Sequence, residues 1–90
     1  MIKIGDTFKA GFETYEISSM SRDIIEIDGA LDGDEIKIFL EDKDINNSFV
    51  CKHYYDGEEM IQVDLNIYEM RMCIEIIDKL KGEREWNTIT

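Results

Sequence analysis

The stretch from residue 66 to residue 81 constrains the fold most, because its two ends and its periodicity all indicate one helix. At about 100° per residue, one face collects six apolar side chains: Ile67, Met70, Cys73, Ile74, Ile77 and Leu80. Asn66 is a favourable N-cap, and Glu69 three residues later completes a capping-box pattern. Gly82 suits the left-handed position that follows a helix C-terminus. The sequence therefore predicts an amphipathic helix that covers the core through this face.

The chain before this helix alternates apolar and polar residues, which indicates strands. Ile2 and Ile4 predict a short first strand. The segments 12–19, 23–28 and 35–40 each place apolar side chains at every second position. These segments predict half-buried strands of an antiparallel sheet.

Two further alternating runs, 49–55 and 58–64, flank the pair Asp56-Gly57. An Asp-Gly pair between such runs favours a two-residue hairpin turn, because a type I′ turn needs two positive φ angles. In that hairpin, Val50 would face Val63 and His53 would face Met60. We therefore expect an α+β fold in one domain over 1–90. An antiparallel meander of about five strands, a curled sheet or small open barrel, precedes the helix, and a polar tail follows over 83–90.

Length and composition limit the classes of protein that this chain can belong to. Ninety residues suffice for a single modest core, and 43% of the residues are hydrophobic. The sequence has no run of 18 apolar residues and no signal-peptide pattern at its start. We expect a cytoplasmic protein that does not enter a membrane and whose two cysteines, Cys51 and Cys73, are reduced.

The charge distribution is the main sequence feature that bears on function. The formal net charge is −11. The segment 23–35 holds six acidic residues and no basic one: Asp23, Glu26, Asp28, Asp32, Asp34 and Glu35. A chain of this charge repels nucleic acids and acidic membrane surfaces, so direct nucleic-acid binding is not expected. A protein with a basic surface is the favoured partner.

The acidic segment has two interpretations. A run of charges commonly marks a solvated strand or loop, since charged edges suppress aggregation. Carboxylates at alternate positions of a strand also project regular negative charge from one rigid element. A basic groove would bind such a surface for the reason that it binds a phosphate backbone.

The sequence contains no complete metal, cofactor or catalytic motif. Asp42, Asp44 and Asn46 are spaced like the first ligands of a calcium-binding loop, but Asn47 stands at the glycine position and His53 at the bidentate glutamate position. Cysteine and histidine residues offer three zinc ligands without the close pairing of a structural site: Cys51, His53 and Cys73. We therefore predict no bound metal, no cofactor and no enzymatic activity.

The helix carries three further apolar residues, spaced by four, that widen its apolar arc: Tyr68, Met72 and Ile76. One interpretation is a helix that is deeply buried between the sheet and the N-terminal strands. The alternative is a face that is shared with a partner or with a second copy in a homodimer.

In size and charge alone, this small, acidic, proline-free chain resembles the phage and mobile-element inhibitors of host defence, among them the anti-CRISPR proteins. The resemblance implies a non-enzymatic inhibitor that mimics nucleic acid, and it transfers no individual residue. The first functional hypothesis is therefore an acidic protein that occludes a basic surface through the segment 23–35. The second is a structural or regulatory interaction domain, or a small phage or plasmid assembly factor, that uses the helix face or a sheet edge.

Overall fold

The computed structural model describes residues 1–29, 34–40, 48–56 and 58–89; of residues 55, 56 and 84–89 only the backbone is described. Within these residues the chain forms an open antiparallel sheet in which each strand pairs with its neighbours in sequence order, followed by one helix. The elements are β1 (Thr7–Ala10), β2 (Glu13–Met20), β3 (Ile24–Gly29), β4 (Glu35–Phe39), β5 (Phe49–Asp56), β6 (Glu59–Val63) and α1 (Ile67–Ile89). The predicted α+β meander with a C-terminal helix is confirmed, with six strands instead of about five.

The core lies between one face of this sheet, the inner face, and α1. Alternation places Ile27 of β3 between Ile17 of β2 and Ile36 of β4 in the cross-strand register. The helix adds four buried apolar side chains on top of these strands: Met72, Cys73, Ile76 and Leu80. The opposite face of the sheet, the outer face, has no element packed on it among the described residues, which is typical of antiparallel sheets.

The N-terminal residues depart from the predicted strand at Ile2 and Ile4. The Lys3 N–H donates to the Asp6 carboxylate over 3.0 Å, and the Asp6 N–H donates back to the Lys3 carbonyl over 3.1 Å. Gly5 between them has φ of 97°, which favours glycine. This local turn uses the backbone groups that a strand would need, so the first strand begins at Thr7.

The hairpin of β5 and β6 forms as predicted, but its register differs by two residues. Val63 lies opposite Lys52, and Gln62 lies opposite His53. Asp56 pairs with Glu59 and thus belongs to the strand, not to the turn. A turn displaced by one residue changes each cross-strand partner by two positions, so every side chain keeps its face of the sheet.

The helix is longer than predicted and continues through Gly82 to Ile89, over most of the expected polar tail. A contact with the N-terminus lies just beyond Gly82: Glu83 accepts a hydrogen bond from the Ile2 N–H over 2.6 Å. The Glu83 carboxylate also lies 3.6 Å from the Met1 ammonium. Since glycine in a helix costs only about 1 kcal/mol, a tertiary contact of this kind is enough to offset it.

The predicted inward face of the helix is wrong in its orientation. Ile67, Met70 and Ile74 are 57%, 53% and 55% exposed. Met72 and Ile76 are 2% and 0% exposed, so these two members of the proposed oligomer face belong to the core. At about 100° per residue the helix is turned by roughly a quarter turn from the expected orientation. The reason is Glu69, which is only 1% exposed and faces the sheet.

Candidate functional site

The first turn of α1 contains the predicted capping box. The Glu69 N–H donates to Asn66 Oδ1 over 2.8 Å, and the Asn66 N–H donates to Glu69 Oε1 over 2.8 Å. These reciprocal bonds satisfy two backbone donors that a helix start leaves free. The second carboxylate oxygen of Glu69 remains for contacts with the sheet.

That oxygen joins the helix to two strands. Glu69 Oε2 accepts a hydrogen bond from Tyr15 Oη of β2 and lies 2.5 Å from Lys52 Nζ of β5. Lys52 Nζ also lies 3.2 Å from Oδ2 of Asp34, which directly precedes β4, and Tyr15 Oη lies 3.2 Å from Glu13 Oε2. We call these five residues the internal polar cluster: Glu13, Tyr15, Asp34, Lys52 and Glu69.

Gly29 at the end of β3 makes room for the internal polar cluster. A Cβ atom at this position would lie 2.7 Å from Glu13 Oε1 and 3.3 Å from Asp34 Cβ. The Gly29 N–H also donates to the Asp34 carbonyl over 2.8 Å, which holds the start of β4 against the end of β3. A larger residue would displace the Glu13 carboxylate.

The pKa values of the internal polar cluster follow from burial and hydrogen bonding. Burial alone would raise the pKa of Glu69, but the bonds from the Asn66 N–H, Lys52 and Tyr15 outweigh it and lower the pKa. Burial would lower the pKa of Lys52, but the bonds to Glu69 and Asp34 raise it. Burial raises the pKa of Tyr15 and of Glu13. The cluster is thus built for an ionised Glu69 beside a protonated Lys52.

A prediction on pH follows from these directions. Glu69 has a pKa below its ordinary 4.5, so its stabilisation is complete above pH 4.5 and is lost as the pH falls through the folded-state pKa. Lys52 has a pKa above its ordinary 10.5, so its stabilisation is present below pH 10.5 and is lost as the pH rises through the folded-state pKa. The pKa of Glu13 is raised, so its contribution to stability changes with pH in the direction opposite to that of Glu69 and decreases as the pH rises.

Melting temperatures measured across pH should therefore fall at both extremes. Glu69→Gln should flatten the loss on the acid side, since it removes the carboxylate whose pKa is lowered. Glu75→Gln, at an exposed site of the same helix, is the control and should keep the acid-side slope. An unchanged slope in Glu69→Gln would show that the cluster does not control acid stability.

The internal polar cluster also brings three carboxylates together. Ligand oxygens of Glu13, Asp34 and Glu69 all lie within 4.8 Å of one another. The ammonium of Lys52 already lies against two of these carboxylates and supplies the compensating positive charge. A metal ion would have to displace it, so we interpret the cluster as a structural link between helix and sheet.

The zinc ligands considered from the sequence do not come together. Cys51 and His53 are two apart on β5 and share the outer face, because Lys52 between them faces inward. Cys73 lies in the core on the inner side, and burial raises the pKa of its thiol to about 12. The calcium-like segment 42–46 lies outside the described residues.

The structure separates the six acidic residues that the sequence analysis grouped. Asp34 belongs to the internal polar cluster, and Asp32 lies outside the described residues. Asp23 is exposed in the turn before β3. Alternation places the other three on the outer face of β3 and β4: Glu26, Asp28 and Glu35. Half of the predicted set therefore shares one face.

The strand register adds a residue that the sequence analysis missed. Glu16 of β2 lies directly opposite Asp28, and Asp28 lies directly opposite Glu35. Neighbouring strands are about 4.8 Å apart, so three carboxylates form a row about 10 Å long across the sheet. Together with Glu26, we call these residues the outer acidic face: Glu16, Glu26, Asp28 and Glu35. The alternation of β2 around Tyr15 and Ile17 indicates that Glu16 faces outward. Which residue lies opposite Glu16 depends on the register of the strands, which the sequence alone does not show.

One lysine neutralises part of the negative charge of the outer acidic face. Lys37 Nζ lies 3.5 Å from Glu35 Oε1 and 4.0 Å from Glu26 Oε1. Glu16 and Asp28 are exposed beside this group. The outward side chains of β2, β3 and β4 thus carry four carboxylates and one ammonium. The outer acidic face keeps a net negative charge.

An apolar groove lies on the other side of the molecule, between the start of β5 and the helix. It has a volume of about 660 Å³ and includes Phe49, Met70 and Ile74 in its lining. These three side chains are each more than half exposed, and Met70 and Ile74 are exposed because the helix faces the sheet through Glu69 instead. Tyr68 packs near Gly11 of the β1–β2 turn and lies apart from this groove.

Comparison with models of protein families, with curated proteins and with solved structures found no match to this chain. In the part of the chain that the structure describes, no helix has both the length and the apolar character of a membrane span. The surfaces and charges of the chain itself are therefore the features that bear on its function.

Proposed function

We propose that this chain is a non-enzymatic acidic binding protein that occludes a basic, nucleic-acid-binding surface of a target protein. The contact surface would be the outer acidic face. The mechanism would be steric and electrostatic, of the kind that phage-borne inhibitors of host defence use when they mimic nucleic acid.

The observation that carries the proposal is the row formed by Glu16, Asp28 and Glu35. Like charges directly opposite each other on adjacent strands destabilise a sheet. Two such pairs stand side by side on a face that no described element covers. Lys37 already offsets part of the charge at Glu35, and a basic partner would relieve the repulsion at the exposed Glu16 and Asp28. The sheet holds the backbone of these residues in place, so binding need not order it.

The overall charge supports the same class of partner. A net charge of −11 accelerates encounter with a positively charged protein and opposes contact with nucleic acid. The titratable groups of the internal polar cluster are hydrogen-bonded or ion-paired with one another, so they suit a structural role better than a catalytic one. These observations favour an inhibitor over an enzyme.

The first test is capture of partners on the immobilised protein from a bacterial lysate, with and without excess duplex DNA. We expect nucleic-acid-binding enzymes to be retained at low salt, released by high salt and displaced by DNA. Exposed charges are screened beyond about 10 Å at 0.1 M salt, so a contact made by the outer acidic face must weaken. Retention of a partner that neither salt nor DNA affects would contradict the proposal.

The second test measures the affinity of a captured partner for two charge-reversed variants. In Glu16→Lys/Asp28→Lys the row on the outer face is reversed, and we expect binding to weaken by at least about tenfold. The matched control is Glu75→Lys/Asp78→Lys, which makes the same change in net charge at exposed sites on the helix. Equal weakening by both variants would mean that total charge, not the outer acidic face, determines binding.

A second candidate function is a regulatory interaction domain or assembly factor that uses a sheet edge. It is favoured by β6, an edge strand whose central residues Met60 and Ile61 are 49% and 41% exposed. Under this function, the reversal of Glu16 and Asp28 would leave partner binding intact.

A further inference from the structure

The strand β6 ends the sheet and pairs with β5 alone among the described strands. One side of its backbone therefore presents N–H and C=O groups without strand partners. Its first four residues are exposed and only Val63 is half-buried. Five residues in extended conformation give an open edge about 17 Å long.

This edge carries acidic residues at its two ends but lacks the other features that usually protect an edge strand. Proteins block edge strands with lysine, proline or a bulge. Glu59–Val63 contains neither lysine nor proline, and its register with β5 runs without a shift from Val63 to Glu59. The other edge differs: β1 has only four residues, includes Lys9, and contacts the helix where Lys79 Nζ lies 5.3 Å from the centre of the Phe8 ring.

The side chains along β6 indicate what a further strand would need. Ile61 lies opposite Tyr54 on the inner face, and both are partly exposed, at 41% and 39%. Acidic residues stand at both ends: Glu58 and Glu59 at the start, and Asp64 directly after Val63, all exposed. A complementary strand is apolar at its centre and basic at both ends.

We propose that the open edge of β6 binds an extended segment of a partner protein, which adds to the sheet as a seventh strand. The segment has apolar residues at its centre and lysine or arginine at each end. Backbone hydrogen bonds along the edge would supply affinity, and the charges at the two ends would supply selectivity. The site is separate from the outer acidic face and does not rest on it; it gives the interaction-domain candidate a specific contact.

A second copy of this chain fits the edge poorly. In an antiparallel pairing of two β6 strands centred on Ile61, Glu58 of each copy would stand opposite Asp64 of the other. Both ends of such an interface would then bring like charges together, on chains that each carry a net charge of −11. Charge therefore favours a basic segment from another protein.

The test uses a synthetic peptide that alternates valine and threonine between terminal lysines, with blocked ends. Its binding to the whole protein is followed by amide chemical shifts and hydrogen exchange. We expect shifts concentrated on β6 and increased protection of the β6 amides. A peptide of equal charge with a central proline is the control. It can still reach the acidic surfaces but cannot form a strand, and it should leave the β6 amides unprotected.

Two variants separate the edge from a general attraction between charges. Met60→Lys places a lysine on the open edge and should weaken peptide binding by at least about tenfold. Thr7→Lys makes the same kind of change on β1 and should leave binding unchanged; circular dichroism and melting verify that both variants fold. Equal binding of the two peptides, equal binding of a peptide with terminal glutamates, or a homodimer through β6 in solution would overturn the proposal.

Discussion

Replacing Glu69 by alanine is expected to lower the free energy of unfolding by about 3–5 kcal/mol, the range found when one partner of a buried ion pair is removed. Glu69 is 1% exposed and accepts bonds from the Asn66 N–H, Tyr15 and Lys52. Its loss leaves the Lys52 ammonium with Asp34 as its ion-pair partner among the described residues, and it removes the half of the capping box in which Glu69 accepts a bond from the Asn66 N–H. Urea unfolding followed by circular dichroism measures the change.

The matched control is Glu75→Ala in the same helix. Glu75 also pairs with a lysine, Lys79, at 3.3 Å, but both side chains are 53% exposed. An exposed pair at this spacing contributes about 0.3–0.5 kcal/mol, so the control should unfold almost like the parent. Equal effects of Glu69→Ala and Glu75→Ala would show that the internal polar cluster does not hold the helix to the sheet.

Replacing Ile76 by alanine is expected to cost about 2–5 kcal/mol, because it leaves a cavity in the core. Ile76 is 0% exposed, and its side chain belongs to the core between the helix and the strands. Since small domains are stable by about 5–15 kcal/mol in total, the variant should melt at a clearly lower temperature. Thermal unfolding followed by circular dichroism measures the shift.

Ile74→Ala provides the comparison, because it makes the same chemical change two residues away. Ile74 is 55% exposed and lies at the apolar groove, so its loss should change stability by less than about 1 kcal/mol. The pair of variants tests the orientation of the helix directly. A larger effect at Ile74 than at Ile76 would restore the helix face that the sequence pattern predicted.

The features that sequence predicted correctly depend on neighbours along the chain. The capping box joins Asn66 and Glu69, which are three residues apart. The hairpin of β5 and β6 and the inward positions of Ile25, Ile27 and Ile36 follow from alternation within single segments. Local geometry determines such features, so one sequence is enough to find the helix and most of the strands.

Other features of the sequence could not be interpreted without knowing which residues from distant segments they contact. Lys52 stands between Val50 and Tyr54 at an inward position of β5, which requires a buried carboxylate somewhere in the fold. Many of the 21 acidic residues could have been that carboxylate, and only the packed structure identifies Glu69 and Asp34. The same contact turns the helix, because pairing Lys52 requires that Glu69 face the sheet.

Some properties of the outer acidic face likewise follow from the sequence, and others follow only from the structure. Composition alone shows the acidic character of the chain, and the proposal of a basic partner starts from it. The row of Glu16, Asp28 and Glu35 depends on how three strands align, and a shift of one residue would have placed these side chains elsewhere. Sequence thus determined most of the elements and the total charge. Tertiary structure determined which charges are neutralised inside and which stand together outside, because pairing energies between distant residues set register and helix orientation.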